Sequence, residues 1–594
     1  MRGAKRLGQP QKGRLGVARK LRSIGLVWLA GPVLLLSSCS SSDDIPVAMT
    51  AGNNPAPSNG MNGTTNPANA NAPATGGTTA PPMNGAGAPS GNQNPEGQTP
   101  VGPLTPPTLP TPPANAGPPG TPPPGLGTLV PCAVDSSLPP EPKLPTQVCA
   151  TLQANQAATS GVTPPSETTL DTARLQAAID GCGAGNAVKL VTNGNNNAFI
   201  SGPLVLAPGV TLWVDTGATL YGSRQPLLYG PTCGTNMGSC PAWIQVRGAG
   251  SAIVGDGVID GQGGEKMLNP DLSAQAQSWW ELSDSIRTAD ANSAANPAIL
   301  QTTAASTNFV LYKIALHNPA KFHVRLGGTG QIVWGVTLLT PSTPTNSLGA
   351  ALSPYRARNT DGIDPGAGGA IHDSYILYSK ISVGDDQIAI KGSTSAGQDY
   401  ATNLVIAHNR MGSGHGMSIG SETVASVHDI TVCDLTIDNS LRVTGGSPSE
   451  DVNGIRIKSD PTRGGLVDRI SYSDVCIKEV NNPIVINPFY SATEGTLPPT
   501  FNNISLKDVF ATSKGEQTVT LFGLDPQHIS TISLDNITLE GPTSNVEAQD
   551  ATVALGPGGA SFAGGISGNS VTLNVPGTAT PRPIDCSGRW VSIP

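Results

Sequence analysis

The sequence predicts an all-β fold, a right-handed parallel β-helix (a solenoid) with a short N-terminal capping helix. Three observations carry that expectation. Short β-like runs recur along the chain, with simplest spacings of roughly 23 to 28 residues, a period that marks a solenoid. Several share the form apolar-x-apolar-x-Asp/Asn-apolar-x-apolar, as in Ile430 to Ile437, Ile470 to Ile477, Ile504 to Val509 and Ile532 to Leu539. No helical pattern separates them, which argues against a leucine-rich repeat. A β-sandwich would explain the short strands, but it gives no cause for Asp or Asn recurring at one phase of the repeat.

Composition narrows the function classes. The 594 residues carry 33 Lys+Arg against 41 Asp+Glu, a net charge of −8, and only 12% are charged. That acidic balance has no basic stripe beyond the N-terminus, so no nucleic-acid partner is expected. One short apolar run excludes a polytopic membrane protein. The 72 Gly and 55 Pro show no G-X-Y period, which excludes collagen.

The elements follow in chain order. Arg2, Lys5, Arg6, Lys12, Arg14, Arg19, Lys20 and Arg22 precede an apolar run from Ile24 to Leu36, and Leu36-Ser37-Ser38-Cys39 follows. A basic region, a short apolar core and small residues make a secretory signal, assigned to residues 1–38. The tetrapeptide ending at Cys39 resembles the lipobox of bacterial lipoproteins. That resemblance implies a diacylglycerol on the Cys39 thiol and a membrane anchor. Residues 39–131 are rich in Pro, Gly, Asn and Thr. Such a stretch cannot bury enough apolar surface to offset its ordering entropy, so it reads as a disordered spacer. The chain is therefore expected outside the cell, as an outer-membrane lipoprotein displayed at the surface or released.

Residues 132–166 form a cysteine-containing lead-in to a catalytic β-helix over 167–594. Cys132, 149, 182, 233, 240, 433, 476 and 586 are even in number, which in an exported chain fits four disulfides. The near neighbours Cys132/Cys149 and Cys233/Cys240 are expected as bridges. No Cys/His cluster has zinc spacing, so neither metal nor cofactor is called for. Asp171 to Asp180 reads as the capping helix, with Leu175, Ala178 and Ile179 on one face. Runs at Val188–Val191, Gly202–Leu206, Val210–Val214, Ala218–Tyr221, Phe309–Leu316, Ile332–Leu338, Ser374–Tyr378 and Leu404–Ala407 read as strands. Asp271 to Thr307, with Trp279 and Trp280, fits no rung and is expected as a loop walling a cleft or offering a sugar platform.

Four polar clusters stand out, about one rung apart: Asn359-Thr360-Asp361-Gly362, Gly384-Asp385-Asp386, Gly414-His415-Gly416 and Arg456-Ile457-Lys458. Equal phase on successive rungs would stack Asp361, Asp385, Asp386, His415, Arg456 and Lys458 on one face. Crowded carboxylates cannot all ionise easily. A protonated carboxyl beside ionised ones is the equipment for splitting a glycosidic bond. Arg456 and Lys458 alternate along a strand and share a side, where they would bind a sugar carboxylate. Asp-rich turns that merely cap rungs account for Asp364 or Asp434, but not for paired aspartates or a histidine between two glycines.

The order NTDG, GDD, GHG and RIK resembles the signature of the polygalacturonases, family 28 of the glycoside hydrolases. Gly257-Val258-Ile259-Asp260-Gly261 and Gly416-Met417-Ser418-Ile419-Gly420-Ser421 look like its bacterial members. The resemblance runs from about Thr168 to near the C-terminus. It implies inverting hydrolysis of α-1,4-galacturonan in pectin, endo action being favoured, by a monomer. It makes Asp385 the general acid, Asp361 and Asp386 the water-activating pair, and His415 the residue that tunes them. Arg456, Lys458 and Asn359 then bind substrate. Gln387 stands where many relatives have Cys, and a disulfide of those relatives would be missing. A non-catalytic adhesin would be favoured by loss of an aspartate, and none is lost. A pectate lyase needs calcium and a base at C5, which GHG and RIK beside GDD do not supply.

Overall fold

The computed structural model describes residues 124–593 apart from 291–292, 342–356, 398, 441–452, 543 and 578–579. The expected signal peptide, Cys39 and most of the spacer lie outside the described residues.

Each inward strand position repeats one rung later. Ile244, Leu300, Val324, Ile363, Ile388, Met417, Ile455, Ile484 and Val519 form one column of parallel register partners. All are buried. At roughly 25 cal/mol per Å² of apolar surface, such columns are the main stabilising term of the fold. Among the described residues the strands make a 22-stranded sheet, an 11-stranded sheet and a separate two-stranded hairpin. The right-handed parallel β-helix expected from the repeat is the architecture observed.

The Asp/Asn phase has a backbone cause. Tyr378, His408, Asp434, Asp474, Asp508 and Asn536 each follow register partners on successive rungs. All have positive φ, between 48° and 63°. Asn and Asp enter this left-handed region more readily than other side chains. The residue bends the strand there, so the apolar positions on both sides keep facing the core.

Helix α1 (Thr172–Asp180) buries Leu175 and Ile179 and packs against Val148–Gln153, Ala198–Ser201 and Leu204–Leu206. It covers the N-terminal end, as a terminal repeat must. Asp171 holds the N-cap position, yet its carboxylate accepts from Ile200 N (2.9 Å) and the Arg174 side-chain Nε (2.7 Å) rather than from the helix backbone. The strand Val148–Gln153, within the lead-in, pairs in parallel with Ala187–Val191.

Four disulfides join Cys132–Cys433, Cys149–Cys182, Cys233–Cys240 and Cys476–Cys586. Cys233/Cys240 is as expected; Cys132/Cys149 is not. The lead-in crosses the outside of the large sheet, so Cys132 meets a residue 301 positions away. There Leu126, Val134 and Leu138 are buried against Trp334, Tyr375, Tyr378 and Val405.

The 271–307 stretch is also revised. It contains a hairpin strand, Ala274–Ser278, and a second helix, α2 (Trp279–Asp290), before the rung strand Leu300–Gln301. Trp279 and Trp280 are buried, so neither is a sugar platform. Trp280 donates Nε1–H to Pro319 O (2.8 Å), and its indole fills the space where Gly263 lacks a Cβ.

Candidate active site

Asp361, Asp386, His415 and Asn453 each stand two residues before Ile363, Ile388, Met417 and Ile455. Those four are register partners on consecutive rungs of the 11-stranded sheet. The polar residues therefore line up along the helix axis at the strand starts. Glycine makes this possible at the histidine. Gly414 and Gly416 have φ of +153° and +103°, and a Cβ on Gly416 would lie 2.4 Å from Gly454 O. No other residue fits the tight turn that presents His415 to the neighbouring carboxylates.

Gln387 follows Asp386 and is buried on the inner side. Its amide accepts from Gly416 N (2.5 Å) and donates to Gly412 O (2.7 Å). It thus ties its rung to the GHG turn, while Asp386 turns to Ser418 and Lys458.

The carboxylates are held in different ways. Asp385 Oδ1 lies 3.0 Å from His415 Nδ1 and accepts from Asp386 N (2.9 Å); its Oδ2 accepts from Asn359 N (3.0 Å). Burial pushes its pKa up, but the His415 charge and these bonds outweigh burial and leave it well below the usual carboxylate range. For His415 burial acts downward, and the Asp385 carboxylate overrides it, so the imidazole pKa is raised. Asp386 accepts from Ser418 Oγ (2.8 Å) and Lys458 Nζ (2.9 Å), with Arg456 Nη1 at 3.8 Å. Burial raises its pKa, and the Lys458 and Arg456 cations bring it below the ordinary value. One ligand atom from each of Asp385, Asp386 and His415 lies within 4.8 Å of the others.

Asp361 is fully buried, and its carbonyl oxygen accepts from His323 N (2.9 Å). Asn359 takes part through its backbone; its side-chain Oδ1 accepts from Ser293 Oγ (3.1 Å). Arg456 and Lys458 do share the outer side of their strand. Both lie over the Tyr490 ring, at 5.1 and 4.7 Å from its centroid.

Two residues at this site escaped the motif reading. Ser418 is the register partner of Arg456, so its outward phase was legible once the rungs were aligned. Tyr490 comes from the turn after the strand Asn482–Asn487, and no periodicity marks it.

A family model for glycosyl hydrolases family 28 matches residues 165–556. A polygalacturonase of Ralstonia solanacearum is 37% identical over 503 residues, covering 76% of this chain and 92% of that one. An endo-polygalacturonase of Pectobacterium carotovorum subsp. carotovorum is 36% identical, covering 70% and 92%. Among solved structures, the polygalacturonase from Erwinia carotovora ssp. carotovora superposes with a TM-score of 0.57 at 33% identity, covering 70% of this chain and 98% of that one.

Proposed function

Because the chain belongs to glycosyl hydrolases family 28 and is a polygalacturonase-type glycoside hydrolase, we propose that it cleaves α-1,4-galacturonosidic bonds within homogalacturonan with inversion. One observation carries the reading: a proton-holding Asp385–His415 pair stands beside an ionised Asp386, with the Arg456 and Lys458 cations adjoining.

Arg456 and Lys458 take the carboxylate of a galacturonate, the guanidinium through its planar fork and the ammonium as a point charge. Lys458 neutralises Asp386 across 2.9 Å. A substrate carboxylate competes for that ammonium and adds a negative charge. Both changes raise the proton affinity of the neighbouring carboxyls. The proton that rests on His415 then passes to Asp385, which delivers it to the leaving glycosidic oxygen. Asp386, with Asp361, orients and deprotonates the attacking water. The bond from the anomeric carbon to the leaving oxygen breaks as the bond to water forms. The proton that Asp386 took from the water then returns to His415, directly or through solvent, which restores the starting state of the pair.

The Asp385 and Asp386 oxygens are closer together than the roughly 6.5–9.5 Å found in most inverting enzymes. Inversion requires the water to reach the anomeric carbon on the face opposite the leaving oxygen. Proton NMR of the first product from polygalacturonate checks this: β-anomer is expected, and α-anomer would replace inversion by a covalent intermediate. Asp385→Asn should lower kcat by roughly 10²–10⁴-fold with binding retained, the range for losing a general acid. Near-normal turnover by the folded variant would reassign the acid.

A further inference from the structure

We propose that the C-terminal segment 586–593 is a positioning element for His415, with Ile593 backing the turn that carries the histidine. This rests on the hydrolase reading and adds to it an element that acts on the Asp385–His415 pair from the side of the 22-stranded sheet.

Residues 580–593 run without strand or helix, yet Cys586, Arg589 and Ile593 are buried. The segment is tied down at several points. Cys586 is bridged to Cys476 on the strand Leu466–Lys478. Arg589 Nη2 donates to Asp474 O (2.6 Å) and lies 2.9 Å from Asp434 Oδ1. Gly588 O accepts from Thr128 N (2.7 Å), and a Cβ on Gly127 would lie 2.3 Å from that oxygen and 3.2 Å from Val591 Cγ1. These ties fix where Ile593 falls. The match to the family model ends at residue 556, before the whole segment.

Ile593 meets the turn at Gly412. A Cβ there would lie 3.6 Å from Ile593 Cδ1 and 2.9 Å from Ser382 Oγ, so both side chains crowd this glycine. Gly412 follows the strand Arg410–Met411, and its N donates to Ile381 O (2.8 Å). Val383 N donates to Ser413 O (2.8 Å), and His415 N donates to Asp385 O (2.9 Å). Gln387 donates to Gly412 O and accepts from Gly416 N, which joins the two ends of the turn.

Glycine explains why a packed neighbour matters here. Gly412, Gly414 and Gly416 carry no side chain, and glycine loses more conformational freedom on ordering than any other residue. The turn cannot hold its shape by its own packing. Gln387 braces it from the inner side, and Ile593 supplies an apolar wall at its first residue. An isoleucine is stiff at χ1, so that wall is rigid. Without it Gly412 gains room to move, and Gln387 passes the movement to Gly416 and His415. The 3.0 Å contact between His415 Nδ1 and Asp385 Oδ1 is the distance that then changes. The charges acting on the imidazole include Asp385 and Asp386 on the preceding rung and Arg456 on the following one, with Asp385 the strongest. Lengthening the Asp385 contact therefore lowers the affinity of His415 for its proton.

The test compares Ile593→Ala, a chain shortened to end at residue 589, and Ile593→Val. On polygalacturonate the first two should lower kcat roughly 10-fold with KM kept, a part of the roughly 10²-fold that a misplacement of about 1 Å can cost. The alkaline limb of kcat/KM should move to lower pH in both, and Ile593→Val should restore kcat and limb together. Leu555→Ala, which opens the core of the last rungs, is the stability control. Its thermal midpoint should fall and its alkaline limb should stay. A limb unmoved in Ile593→Ala and in the shortened chain, or moved as far by Leu555→Ala, would overturn the positioning role. The His415 imidazole titration followed by NMR, assigned through His415→Asn, reads the same coupling without substrate, and its pKa should fall in Ile593→Ala. A wild type that leaves polygalacturonate uncut would thus remove the hydrolase reading alone, whereas an unchanged His415 titration would remove the positioning role.

Discussion

On the proposed mechanism the proton is stored on His415 and used by Asp385, and this fixes a pH profile. The free enzyme needs Asp386 ionised and one proton on the Asp385–His415 pair. The Asp386 pKa is lowered, so kcat/KM should fall on the acid side only below the ordinary aspartate value of about 3.9. The His415 pKa is raised, so the alkaline fall should begin above the ordinary histidine value of about 6.5. Replacing His415 by Asn removes the group that stores the proton. The alkaline limb of kcat/KM should then move to lower pH and activity should drop at neutral pH. An unmoved limb in that variant would assign the proton store to another group. Asp361, Asp385, Asp386 and His415 were legible in sequence because each belongs to a short motif that contains glycine. Tyr490 was not, because a turn after the next rung brings it over Arg456 and Lys458, and turn paths carry no period.

The strap formed by the lead-in adds an ionic clamp to the solenoid. His408 stacks on Tyr378 and lies 2.8 Å from Asp434 Oδ2 and 2.9 Å from Asp135 Oδ1. Two carboxylates on two ring nitrogens call for the doubly protonated imidazole. Burial lowers the His408 pKa, but the bonds to Asp434 and Asp135 outweigh it and leave it raised. A group whose folded pKa is raised stabilises fully below its unfolded value, and loses that contribution as pH rises through the folded value. The thermal midpoint should therefore fall as pH is raised through the range above about 6.5, and His408→Gln should flatten that part of the curve. A slope unchanged by the substitution would place the pH dependence elsewhere. Asp434 is the hub, since it also receives Arg410 Nη2 (3.1 Å) and Arg589 Nη2 (2.9 Å). Asp434→Asn leaves two buried arginines without their carboxylate and should cost roughly 3–5 kcal/mol in denaturant unfolding. The sequence placed Asp434 among rung-capping residues, and its positive φ agrees with that. Its charge partners were hidden, because Arg410 and Arg589 reach it from a different rung and from the C-terminal tail. The same distance hid the Cys132–Cys433 bridge, while Cys233–Cys240, closed within one turn, was legible.

On the scale of the whole molecule, the strap sets where the preceding chain joins the enzyme. Leu126, Cys132, Val134 and Leu138 lie on the large sheet, beside Trp334 and Tyr375, whereas the carboxylates open on the 11-stranded sheet. The match to the family model begins at residue 165, after the strap. We propose that the segment ahead of the catalytic domain serves display: Cys39 carries the lipid, residues 39–131 act as the spacer, and the strap clamps the spacer's end to a face without the site. The substrate class demands such an arrangement, because a pectin polymer cannot cross an outer membrane to reach an enzyme held inside it. The wild type should accordingly fractionate with outer membranes and be degraded when protease is added to intact cells. Cys39→Ser should lose the acyl group and leave the membrane fraction, with kcat on polygalacturonate unchanged, since Cys39 precedes the strap and contributes nothing to the rungs. Wild-type protein found wholly soluble in the medium, with no acyl group on its N-terminus, would remove the anchor. The hydrolase reading would stand, because the proposed acid, water-activating carboxylates and substrate cations all lie on rungs that begin after the strap.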